Sequence, residues 1–228
     1  MKKVAILLTG VLIVFSSAAQ QEMDEIKVTA PVFKGEFYKS ISEFLINGVE
    51  YPAEVKNAGL QGTAVIDFTV TTDGELKDFV VINSVSPEID REVIRGIQLT
   101  EGKWIPGTAN ENPVDMQREV AVTFKLNSQV DFVAKAQNYL DKANKMLFVK
   151  NNPAKAIKYY NRGITLLPYE EVLLAMRGLC NYELGNEDEA RKDWERIADI
   201  STSSEINEYA MVEKVLEGYK ELAQAMNN

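Results

Sequence analysis

Gly62-Thr63-Ala64-Val65-Ile66-Asp67-Phe68-Thr69-Val70, continuing through Thr72-Asp73-Gly74-Glu75 to Leu76–Asn83, is the stretch on which the fold turns. Ala64, Ile66, Phe68 and Val70 alternate with Thr63, Asp67 and Thr69, a period of two that reads as a half-buried strand. Thr72-Asp73-Gly74-Glu75 marks a tight turn, because Asp-Gly supplies the positive φ angles a hairpin demands. The return strand runs from Leu76 to Asn83, with Leu76, Val80 and Ile82 expected on one face and Phe79 and Val81 on the other.

Working outward, Phe37, Ile41, Phe44 and Leu45 share one helix face, and Asn47-Gly48 is expected to stop that helix in a left-handed conformation. On the other side Ser86-Pro87-Glu88 opens a helix with a cap residue, a proline at the first helical position and an acid at the positive end of the dipole. Its buried stripe is Ile89, Val93, Ile94 and Ile97, and Lys103-Trp104-Ile105-Pro106-Gly107 breaks the pattern. A last strand, Glu119 to Leu126, turns Val120, Val122, Phe124 and Leu126 inward and Glu119, Thr123 and Lys125 outward. The fold class is therefore α+β: a small antiparallel three-stranded sheet with two helices on one face. From about Asp131 onward every segment has a helical period, so an all-α domain follows.

A length of 228 residues suits two domains. The chain has no histidine and one cysteine, which removes catalytic triads, imidazole zinc sites, disulfides and thiolate clusters. Cys180 falls in an apolar-periodic segment and reads as a packed thiol. A net charge of −9 argues against nucleic acid, which needs a basic face. With no glycine-rich phosphate loop, nucleophile elbow or metal-ligand cluster, the expectation is a protein without catalytic residues, metal or cofactor. Lys2 and Lys3 precede an apolar run from Val4 to Phe15 and then Ser16-Ser17-Ala18-Ala19, the order of a secretory signal. The expected layout is a signal peptide at 1–19, a short linker at 20–36, the α+β domain at 37–128 and the helical domain at 131–228.

Tyr51-Pro52, Gly59-Leu60-Gln61-Gly62, Asp73-Gly74, Ile89-Asp90, Trp104-Ile105-Pro106-Gly107 and Val122-Thr123-Phe124-Lys125-Leu126 follow one another in that order. On these residues the first half resembles the C-terminal domain of the TonB family over about residues 37–126. The resemblance implies a domain that pairs with a short N-terminal peptide of an outer-membrane transporter and relays inner-membrane energy to it. An exposed final strand leaves unpaired N–H and C=O groups that an extended peptide can complete by β-augmentation. The candidate edge is Glu119, Val120, Ala121, Val122, Thr123 and Phe124, with Tyr51 and Pro52 near it by analogy. The family's long proline-rich spacer is missing between the predicted signal and the domain, where Pro31 is the single proline. The transducer proper, with a retained N-terminal anchor, is therefore the alternative.

The second half aligns with itself at 34 residues, Ala156 on Ala190, Tyr160 on Trp194 and Asn151 on Gly185. It resembles the tetratricopeptide repeat over about Gln137–Glu170 and Glu171–Ser204. The resemblance implies a groove lined by Asn138, Asp141, Lys145, Leu179, Tyr182 and Glu183, holding a second partner or serving as scaffold. Ile206 to Ala225 reads as a closing helix. Together these features predict a periplasmic module whose partner is a protein or peptide of the cell envelope, an outer-membrane transporter among the candidates. No nucleic acid or metal is expected, and membrane contact comes only through partners or an uncleaved signal. Strand exchange into a homodimer stays open.

Overall fold

The structure, a computed structural model, describes residues 26–38 and 40–202; the signal peptide and the closing helix read from the sequence lie outside them. In chain order the first elements are β1 (Val28–Thr29), β2 (Val32–Phe33), α1 (Ile41–Gly48), α2 (Ala53–Asn57), β3 (Gly62–Val70) and β4 (Leu76–Asn83). Then come α3 (Pro87–Gln98), β5 (Trp104–Ile105), β6 (Gly107–Ala109), β7 (Asn112–Val114) and β8 (Met116–Phe124). The helical half consists of α4 (Phe132–Asn144), which continues into a π-helical turn (Lys145–Val149), then α5 (Pro153–Leu166), α6 (Glu171–Glu183) and α7 (Glu187–Thr202).

β3 is the central strand of an antiparallel sheet ordered β4–β3–β8. Its even-numbered residues Ala64, Ile66, Phe68 and Val70 face a core completed by Val120, Val122 and Phe124 of β8. Ile41 and Leu45 of α1 and Ile89, Val93 and Ile97 of α3 close that core from above. α3 starts as the sequence predicts, with Ser86 capping the Ile89 amide and Pro87 opening the first turn. Trp104 fills the end of the core, its ring 5.5 Å from Phe68 and 5.7 Å from Phe33, and its indole N–H donates to Thr100 Oγ1 at 2.9 Å.

Several local expectations are corrected. In the hairpin only Gly74 takes a positive φ, 81°, because the loop is a three-residue one in which Thr71 and Glu75 pair and glycine supplies the bulge. Asp78 (φ 55°) lies where the register slips between Asp67↔Val80 and Thr69↔Lys77. One extra residue on β4 flips the alternation. Leu76 and Phe79 therefore share the core side, Phe79 stacked on Phe68, while Val80 and Ile82 are exposed. α1 starts at Ile41 with Ser40 as its cap, leaving Phe37 86% exposed rather than on the buried face. The helix ends in extended Val49, so Asn47-Gly48 needs no left-handed residue. The stretch read as a linker carries β1 and β2, whose partners are β6 and β5. These pairs tie the chain from Val28 onward to the segment 104–109, where the sequence had suggested only a break.

In the helical half α4 packs on α5, α5 on α6 and α6 on α7. The inter-helix turns use left-handed residues at the two positions the repeat alignment equates, Asn151 (φ 47°) and Gly185 (φ 77°). Ala156 and Ala190 are fully buried where the helices approach. A side chain at Gly178 would meet the Trp194 indole nitrogen at 2.8 Å, so glycine is what lets α7 lie close to α6. Cys180 is buried, as expected, and burial pushes its thiol up to about 12.

The two halves touch. A Cβ on Gly62 would stand 2.6 Å from the Thr165 carbonyl, so glycine admits the C-terminal turn of α5 onto the end of β3. A helix leaves its last carbonyls without intrahelical partners. Here Thr63 Oγ1 donates to the Leu166 carbonyl at 3.0 Å, and Asn83 Nδ2 reaches both the Thr63 carbonyl (2.6 Å) and the Ile164 carbonyl (3.3 Å). β3 is thus buried on both faces, Thr63, Val65 and Thr69 included, where the alternation predicted a half-buried strand.

Candidate functional site

Among the described residues β8 stands at one edge of the sheet, paired with β3 alone, in register residue for residue from Met116↔Val70 to Phe124↔Gly62. A regular antiparallel strand of this kind sends alternate N–H and C=O groups to its partner and the others outward. The edge residues divide by face. Val120, Val122 and Phe124 are buried in the α+β core; Thr123 is exposed, its hydroxyl 3.1 Å from that of Thr63; Ala121 is half-buried.

Tyr51 and Phe124 are brought together, ring edge to face at 5.3 Å. The Tyr51 hydroxyl donates to the Leu60 carbonyl, which anchors the turn before β3 to this end of the edge. Pro52 is the N-cap of α2, a helix that five residues of unremarkable periodicity did not announce. The neighbouring backbone is therefore rigid where the resemblance places a peptide contact.

Glu119, read as outward, does point away from the α+β core, and on that side it meets the helical half. Arg196 of α7 holds its carboxylate with both nitrogens, Nη1 to Oε2 at 2.6 Å and Nη2 to Oε1 at 2.9 Å, and both side chains are only 15% exposed. The Arg196 guanidinium lies over the Tyr169 ring at 5.4 Å, and burial, then the Glu119 charge, raises the Tyr169 hydroxyl above its ordinary value. Asp67, the direct cross-strand partner of Glu119, hydrogen-bonds the same carboxylate. Burial, then the adjacent Glu119 charge, pushes the Asp67 carboxyl up to about 7. Asp67, Tyr169 and Arg196 had no role in the sequence reading. The only signal was an acid placed mid-strand among apolar neighbours, and its partner arrives 129 residues later.

The six groove residues fall into two sets. Asn138, Asp141 and Lys145 are exposed on α4 and its π-helical turn, with Gln137 Nε2 donating to Asp141 at 3.0 Å. On α6, Leu179 packs against the helical core, whereas Tyr182 and Glu183 are exposed, and the Tyr182 ring lies 6.0 Å from Trp194. α4 and α6 both pack on α5, which lies next to each in the stack. Among the described residues no group of three or more metal-ligating side chains comes together, and no helix is long and apolar enough to cross a membrane.

Residues 47–126 match the family model described as the Gram-negative bacterial TonB protein C-terminal. The match begins at the end of α1 and closes just beyond β8, so it takes in the whole three-stranded sheet and none of the helical half. No curated protein matches the chain. Among solved structures the chain is similar to the NMR solution structure of the Helicobacter pylori TonB-CTD. The identity is 18%, the alignment covers 40% of this chain and 92% of that one, and the TM-score is 0.31.

Proposed function

We propose that the chain is an exported, periplasmic interaction module that takes up an extended peptide of a cell-envelope partner along the open side of β8. Residues 37–128 form its peptide-binding half, and residues 131–228, a tetratricopeptide-like array, supply a second binding or scaffold surface. The observation that carries this reading is the edge position of a nine-residue, bulge-free strand within a segment that matches the TonB C-terminal model. A guest strand gains backbone hydrogen bonds worth about 1 kcal/mol each, net of water, and side-chain pockets at alternate positions set its selectivity. Tyr51 and Phe124 wall one end of that edge. An N-terminal segment of an outer-membrane transporter is the partner this chemistry fits, since such a peptide is extended and offers free main-chain groups.

An energy-transducing subunit with a retained anchor is less well supported. β1 begins at Val28, so only residues 20–27 separate the predicted signal from folded chain, roughly 28 Å when fully extended.

The test is a calorimetric titration with extended transporter-derived peptides against wild type, Ala121→Pro and Val122→Pro. Neighbouring amides alternate between β3 and the open side, so one of the two prolines removes an outward N–H that the fold does not use. That variant should keep its circular dichroism spectrum and bind at least tenfold more weakly. Affinity unchanged from wild type in the proline variant that stays folded would refute the edge as the binding site.

A further inference from the structure

We infer that the junction between the helical array and the sheet is a proton-operated latch, closed while Asp67 is protonated and loosened when it ionises. Asp67 and Glu119 are direct cross-strand neighbours on the face of the sheet that the array covers. Side chains at such positions stand about 5 Å apart, and like charges there repel. One guanidinium, Arg196, serves both strands from α7, and its two terminal nitrogens are committed to Glu119.

Every element packed around Asp67 contributes to the balance. β8 presents Glu119; α7 presents Arg196 and Asp199; the loop between α5 and α6 presents Tyr169; and β4 presents uncharged Val80 as the register partner. Among the described residues one cation thus meets three carboxyl groups. The arrangement is satisfied when Asp67 carries a proton and donates it to Glu119, whose carboxylate then accepts from Asp67 and Arg196 together. Loss of that proton turns a hydrogen bond into a contact between two carboxylates in a largely buried site.

The sign follows from linkage. Free of the array, Asp67 loses the burial that is the largest cause of its shift and falls toward the ordinary aspartate value of about 4; in the docked state it titrates at about 7. Its contribution to docking is complete below the lower value and is lost as pH rises through the upper one. The neighbouring hydrogen bonds from Thr63 and Asn83 to the α5 carbonyls carry no titratable group, so they keep the array tethered while the latch end opens. This inference does not depend on β8 receiving a peptide.

The experiment is limited proteolysis of the full chain at the connection 125–131, for wild type and Asp67→Asn, at pH 5.5, 7 and 8.5. Asparagine keeps the shape and still donates to Glu119, so it mimics the closed state. The ratio of wild-type to variant cleavage rates cancels the protease's own pH dependence. That ratio should rise at least tenfold between pH 5.5 and pH 8.5; a ratio that stays flat overturns the proposal. A carboxyl-carbon NMR titration of wild type stands apart from any variant. A midpoint for Asp67 near 7 supports the latch, and one near 4 rejects it.

Discussion

Alanine at Phe68 is expected to lower the unfolding free energy by about 4 kcal/mol, the upper part of the range for a large buried aromatic. Phe68 is fully buried at the middle of the central strand, where its ring meets Phe79 at 5.9 Å and Trp104 at 5.5 Å. Three aromatic groups from β3, β4 and β5 close around that point, and a sheet layer pressed between two helical layers has little freedom to collapse into the cavity. Urea melts followed by circular dichroism and by tryptophan fluorescence, with Trp194→Phe as the background so that Trp104 alone reports, should show the loss. Because β8 takes its register from β3, the same variant should lose peptide binding in proportion to its unfolded fraction. A change under 1 kcal/mol would mean that the core is not assembled as described.

Asp193→Ala should destabilise the helical half by about 3 kcal/mol. The Asp193 carboxylate is almost fully buried and accepts from Arg177 Nε and Nη2 in a two-pronged pair, with Nη2 to Oδ1 at 2.5 Å, while Nη1 of the same arginine donates to Asn161 at 2.9 Å. One guanidinium therefore pins α5, α6 and α7 together. Removing the acid strands a partly buried cation, which costs more than the pair itself contributes. The double variant Asp193→Ala with Arg177→Met should recover most of the loss, because the methionine carries no charge to leave unpaired. If the single and double variants melt alike, the pair is a surface contact of little consequence.

What could be read from the sequence was local. The strand from Gly62 to Val70, the Ser86-Pro87 start of α3 and the inward residues Val120, Val122 and Phe124 all depend on neighbours within one element and appear where expected. Leu126, the fourth of that inward set, lies beyond the end of β8. What could not be read depends on a partner that only the fold supplies. The Asp78 bulge inverts the faces of β4 by inserting one residue, which no alternation count reveals. β1 and β2 are two residues long and gain their conformation from pairing with β6 and β5, so they have no periodicity of their own. Thr63 and Val65 look like a solvent face until α5 lies over them. The edge strand was legible because its position follows from element order. The role of the Glu119 side chain was not, since Arg196 and Tyr169 come from the other half of the chain.

Amide hydrogen exchange across residues 116–124, read by NMR on the free protein and again with an extended transporter-derived peptide, tests the β8 edge most directly. In the free protein alternate amides should exchange fast while their neighbours, bonded to β3, exchange slowly. Saturating peptide should slow the fast set at least tenfold and leave the slow set unchanged. If both sets are equally protected before any peptide is added, the edge is already occupied and cannot be the place where a partner strand docks.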